Sequence, residues 1–194
     1  MNQNQINLLF KNMNTLLSTE RLTEIKNEAN TTLKEHGHVK NPFERISSIA
    51  DANGIELLEA DLYDISGALR KEGGSWKIYV NKQDSEQRKL FTVAHELGHY
   101  FIHKDERNEF IDGQFIARDE TMKYMEQELE ANEFAGNLIM PEQEVRNSIA
   151  TDQITTKTIQ DMARQFGVST FAMDTRLRNL GYDTTANSEQ QSAA

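Results

Sequence analysis

The chain has no cysteine among its 194 residues. That excludes a disulfide framework and every thiolate metal site, so any transition metal must be held by histidine and carboxylate. Basic residues are also short: 21 Lys and Arg stand against 31 Asp and Glu, a formal net charge of −10. This balance argues against a partner held by phosphate contacts, which needs clustered Lys and Arg. It favours solubility and basic substrates. No apolar run approaches the length of a membrane span. The first residues, Met1 to Leu17, lack the basic start and continuous apolar core of a secretory signal. The expected setting is therefore the reducing cytoplasm, with no membrane and no nucleic-acid partner.

What is present suffices for one domain, or one domain with a small appendage. Residues 1 to about 40 are rich in Asn, Gln, Lys and Glu. In this stretch Leu16, Leu17, Leu22, Ile25, Ala29 and Leu33 fall at helical spacing. They predict an amphipathic helix ending near Gly37, either a docked arm or a solvated extension. Pro42 suits the first turn of a short helix, stopped by Asn53-Gly54. Three strands are predicted at 55–60, 66–70 and 76–80, the last two joined by a hairpin loop at Lys71-Glu72-Gly73-Gly74.

A strong helix is expected from Ser85 to His103. Leu90, Phe91, Val93, Ala94, Leu97, Phe101 and Ile102 cover most of its circumference, which places it mid-domain. Lys104 to Glu120 reads as a polar loop. A second long helix runs from Thr121 to Met140 and ends at Pro141. Two short helices follow at 156–166 and 170–180, the latter ended by Gly181. The expected divisions are a helical extension at 1–40, a main α+β domain at 41–150, a helical pair at 151–183 and a disordered tail at 184–194.

The buried helix carries His95-Glu96-Leu97-Gly98-His99. Two histidines at i and i+4 share a helix face, about 6 Å apart along the axis, so both can reach one ion. Glu96 beside them is placed as general base for a water on a zinc site. Burying two His and a Glu in an apolar helix with no such role would cost several kcal/mol. The expected activity is that of a zinc-dependent peptidase of zincin type.

Catalytic zinc usually takes three protein ligands. His103 is one turn too far, about 12 Å from His95 along the axis. The extended pattern with Gly and His after the second histidine fails at Ile102 and Asp105. A carboxylate must come from elsewhere, and the second long helix offers Glu126, Glu128, Glu130 and Glu133. Glu128 shares its face with Met125, Ala131, Asn132 and Ala135, a small and apolar strip suited to close packing. The other three fall on a mostly polar strip, where a solvated face is expected. Glu128 is therefore the expected third ligand. Asn132 is placed either to fix the tautomer of a ligand histidine or as an ordinary polar residue at a helix crossing. Tyr100, Tyr124 and His103 are candidate donors to a tetrahedral oxyanion.

These motifs resemble the ImmA/IrrE metallopeptidases. The resemblance rests on Phe91 to His99, then Glu128-Leu129-Glu130-Ala131-Asn132-Glu133-Phe134-Ala135 and Leu138 to Pro141. It extends over about residues 43 to 181, through Ser66-Gly67, Tyr79-Val80-Asn81, Phe166 to Ser169 and Arg176 to Gly181. It implies a small gluzincin-like fold: a short three-stranded antiparallel or mixed sheet, a central helix bearing the metal turn, and C-terminal helices. It also implies Zn2+ held by His95, His99 and Glu128, with Glu96 as base. Several members cleave transcriptional repressors, and some act as toxins beside antitoxins. The expected partner is accordingly a protein substrate such as a helix-turn-helix repressor or an antitoxin.

Two other readings compete. Residues 151 to 181 have a helix-turn-helix look, but carry four basic residues (Lys157, Arg164, Arg176, Arg178) against three acidic ones, little for a DNA-binding regulator. A zinc-stabilised interaction protein that sequesters its partner without cutting it is the second.

Overall fold

The computed structural model describes residues 17–36, 39, 41–111, 121–149 and 154–184. The tail expected beyond Thr184 and the segment before Leu17 lie outside them. The described chain runs α1 (Thr19–His36), α2 (Pro42–Ala52), β1 (Glu56–Ala60), β2 (Gly67–Glu72), β3 (Ser75–Asn81), α3 (Glu86–His103) and β4 (Glu109–Ile111). It continues through α4 (Thr121–Ile139), α5 (Glu142–Ser148), α6 (Thr156–Phe166) and α7 (Thr170–Asn179).

Local signals set most of these boundaries. Asn41 caps α2 by accepting from the amides of Phe43 and Glu44, with Pro42 in the first turn. Ser85 caps α3 through the Arg88 amide. Thr155 and Thr158 cap each other's backbone at the start of α6, and Gly167 closes that helix at φ 65°. Gly73 and Gly74, both at positive φ, are the whole β2–β3 turn, as a tight two-residue hairpin requires.

The sheet has four strands in the order β1-β3-β2-β4, not the three expected. It is mixed: β1 runs parallel to β3, while β2 is antiparallel to both β3 and β4. The extra strand, β4, lies inside the stretch read as polar loop. Only three residues long, with Phe110 its one buried side chain, it is too short to display a period of two.

Helix α3 packs on β2 and β3 on one side and on α4 on the other. Ile49, Leu69, Ile78, Leu97, Phe134, Leu138, Met173 and Leu177 join in one core that links sheet and helices. Ile25 and Ala29 of α1 are buried in that same core, and α1 lies along α4. Among the described residues no helix is long and apolar enough to cross a membrane.

Candidate metal centre

Leu90, Val93, Ala94 and Leu97 draw α3 into the core and take His95, Glu96, His99 and His103 down with them; all four are buried. Gly98 lets α4 cross at very short range against Ala131. That crossing sets Glu128 and Asn132 of α4 opposite the histidines. Phe110 of β4 stacks on the His99 ring, with centroids 4.6 Å apart and planes within 15°. The start of β2 borders Glu96, since a Cβ on Gly67 would lie 3.0 Å from Glu96 Oε1.

One donor atom from each of His95, His99 and Glu128 falls within 4.8 Å of the other two. His95 Nε2 is 3.0 Å from His99 Nε2, and each lies 3.3 Å from an oxygen of Glu128. The hydrogen bonds behind the rings decide their protonation. Asn132 Oδ1, which can only accept, is 3.0 Å from His95 Nδ1, so the proton sits on Nδ1 and Nε2 is left as an acceptor. His103 Nε2 donates to Glu130 at 2.8 Å, and in the one-proton form of that ring Nδ1 is left to accept. His99 Nδ1 donates to it across 3.2 Å, and His99 Nε2 becomes an acceptor too.

Burial pushes His99 down to about 4, keeping its imidazole neutral at pH 7. Two neutral nitrogens and one carboxylate thus point at a common centre with no proton among them. Such a set is mutually repulsive until a cation lies between its members. Two zinc–nitrogen bonds of about 2.0–2.1 Å at a tetrahedral angle place their nitrogens about 3.3 Å apart, close to the observed spacing. The donor set fits zinc.

The structure brings together three of the residues singled out from the sequence, His95, His99 and Glu128; Glu96, buried next to His95 on α3, borders Gly67 of β2. Of the two roles open to Asn132, the geometry supplies the tautomer-fixing one. Glu130 differs from expectation. Its side chain is only 12% exposed, and it is gripped by Arg21 of α1 and by His103. Burial raises its carboxyl, but the bonds from Arg21 and His103 prevail and bring it down to about 2. At Glu130 the polar strip on α4 is covered by α1, a neighbour that periodicity within α4 cannot reveal, while Glu126 stays exposed. Of the oxyanion candidates, Tyr124 and His103 have their polar atoms engaged elsewhere, and Tyr100 its ring. The Tyr124 hydroxyl donates to the Ile111 carbonyl, Tyr100 packs edge-on to Trp76, and His103 bridges His99 and Glu130.

A cleft of about 740 Å³ reaches His95 and Glu128 from outside, between α3, α4 and α7. Phe91, Leu129, Met140 and Phe171 give it apolar walls, with Phe171 half-exposed.

Known proteins share this arrangement of elements. The family model described as IrrE N-terminal-like domain (Peptidase_M78) matches residues 50–178. Metallopeptidase ImmA of Bacillus subtilis (strain 168) is 28% identical over 159 residues, covering 81% of this chain and 86% of that protein. A Mycobacterium tuberculosis transcriptional regulator of known structure aligns with a TM-score of 0.59 at 16% identity. That likeness spans 93% of this chain but 53% of the other, about half its length, and bears on the fold alone. The family match takes in both the metal turn of α3 and Glu128 of α4, and the chain belongs to the IrrE N-terminal-like family of ImmA/IrrE metallopeptidases.

Proposed function

We propose that the chain is a zinc-dependent endopeptidase acting on a regulatory protein. The observation carrying this reading is the convergence of His95 Nε2, His99 Nε2 and the Glu128 carboxylate, each left as an acceptor by its own bonding. His95, His99 and Glu128 would hold the ion, and Asn132 keeps His95 in the ligating tautomer. When bound there, zinc supplies Lewis acidity and brings a water's pKa to about 7. Glu96, beside the ligands on α3, takes the proton of the attacking water and delivers it to the leaving amine as the peptide C–N bond breaks. The cleft between α3, α4 and α7 holds the polypeptide against the site.

A repressor, or another regulatory protein controlling a mobile element or a stress response, is the substrate suggested by the family resemblance; an antitoxin is the other protein partner of that kind. The reducing cytoplasm suits a cysteine-free chain. The DNA-binding alternative has little to draw on. Lys157 and Arg164 both pair with Asp161, Arg178 pairs with Asp174, and Arg176 is buried.

The test combines zinc analysis with incubation of the purified protein and candidate repressors, read by mass spectrometry. Stoichiometric zinc should be lost in Glu128→Ala. Glu96→Gln should keep the zinc and lose cleavage, about 10²-fold or more. Full activity in Glu96→Gln cells would instead favour a partner-sequestering protein.

A further inference from the structure

The metal turn is backed by a continuous chain of side chains that leaves the matched family segment and ends on α1. His99 Nδ1 lies 3.2 Å from His103 Nδ1, and His103 Nε2 lies 2.8 Å from Glu130 Oε2. Glu130 accepts two bonds from one guanidinium, Arg21 Nε to Oε1 at 2.6 Å and Arg21 Nη2 to Oε2 at 2.7 Å. The far end of this path fixes the roles of Glu130 and of His103 Nε2, and the one-proton form of His103 completes it. Arg21 only donates, so the Glu130 carboxylate accepts. Its Oε2 takes the His103 Nε2 proton, and His103 Nδ1 accepts from His99. His103 is 2% exposed and the Glu130 side chain 12%, so water competes little for these bonds.

We propose that Arg21, Glu130 and His103 are positioning residues for the metal centre, and that α1 is thereby a working part of the zinc site. The proposal rests on the reading of His99 as a zinc ligand. Asn132 performs the equivalent task for His95 with one bond; for His99 three residues do it, and the last, Arg21, lies 109 positions from Glu130 in sequence. A two-pronged guanidinium suits this end of the chain. It holds both carboxylate oxygens in plane and aims one of them at His103, which a point-charge ammonium would not.

Lys26 supplies an internal control. It ties the same helix to Glu142 through an ion pair that takes no part in the path to His99. Zinc affinity is measured on the full-length protein by competition with a chromogenic chelator, alongside thermal melting. Glu130→Gln should weaken zinc about 10- to 100-fold, the usual range for groups bonded to a ligand histidine. Arg21→Ala should weaken it less but measurably, with Arg21→Lys between Arg21→Ala and the unsubstituted protein. Lys26→Ala should lower the melting temperature and leave zinc affinity unchanged. In the metal-free protein, nitrogen NMR should show His99 as the Nδ1–H tautomer, and a tautomer mixture in Glu130→Gln. Unchanged affinity in both Glu130→Gln and Arg21→Ala would overturn the proposal. Equal losses in Lys26→Ala and Arg21→Ala would overturn it too, by reducing the effect to helix docking. Glu128→Ala separates the two ideas: zinc retained there would sink the site assignment itself, whatever the Arg21 variants do.

Discussion

A Cβ placed on Gly98 would sit 2.9 Å from both the Cα and the carbonyl oxygen of Ala131. The two helices that supply the candidate ligands therefore touch backbone to backbone, one residue before His99 and three after Glu128. Glycine inside a helix costs about 0.5–1 kcal/mol relative to alanine; here the close crossing sets the span between His99 and Glu128.

Gly98→Ala should consequently destabilise the protein although alanine is the better helix former. Overpacking of this kind costs about 1–3 kcal/mol, and the clash is with the Ala131 backbone, which cannot rotate away. Widening the crossing also separates Glu128 from the histidines. The expected result is a lower melting temperature together with weaker zinc binding. A variant more stable than the parent, with zinc affinity intact, would show that the helices have room to spare.

Arg176 ties α7 to the end of α4. Buried, it donates from Nε to the Met140 carbonyl at 3.0 Å and from Nη2 to Asn137 Oδ1 at 2.9 Å. Arg176→Ala leaves both acceptors without that donor, at a cost of about 1–3 kcal/mol each. Urea unfolding should therefore register a marked loss of stability. If the closing helices read DNA through this residue, the same variant would keep its stability and lose a gel shift. The structure predicts the opposite pattern: destabilisation, and no shift to lose.

Legibility from sequence followed the distance over which each signal acts. His95, Glu96 and His99 lie within one helical turn and a half, and Glu128 with Asn132 within one turn of α4. Periodicity could therefore place both sets on inward faces. The partnership of Glu130 with Arg21 joins helices far apart in the chain, and no local pattern encodes it; a polar strip on α4 reads the same whether water or α1 covers it. Helix α5 left little trace, because Pro141 precedes it without a side-chain cap and Val145 is its one buried side chain. β4 was hidden by its shortness, yet its Phe110 is what stacks on His99.

Acid should weaken the metal-free protein in a defined window. His99 titrates at about 4 when folded, below the 6.5 of a free imidazole, so between those values the unfolded chain binds more protons. Stability is thus retained above about pH 6.5 and falls as pH drops toward 4, by up to about 1.4 kcal/mol per pH unit from this one group. Urea melts in the presence of chelator at pH 7, 6 and 5 measure the slope. A His99→Gln variant should show a shallower one, and an equal slope would remove His99 as its source.

Gly67 offers a way to disturb Glu96 without changing any candidate ligand. A Cβ there would meet Thr92 Cγ2 at 2.3 Å, Glu96 Oε1 at 3.0 Å and the Tyr79 carbonyl at 3.3 Å. The methyl group cannot be accommodated unless Thr92 and Glu96 give way, and both sit on the sheet-facing side of α3. None of the three candidate ligands is among the atoms this Cβ would meet. Gly67→Ala should therefore retain near-stoichiometric zinc while cleavage falls, mainly in kcat, because the base is displaced from the water it must deprotonate. Loss of zinc in step with activity would mean that the substitution moves the whole helix, and would leave the separation between metal holding and proton transfer without support.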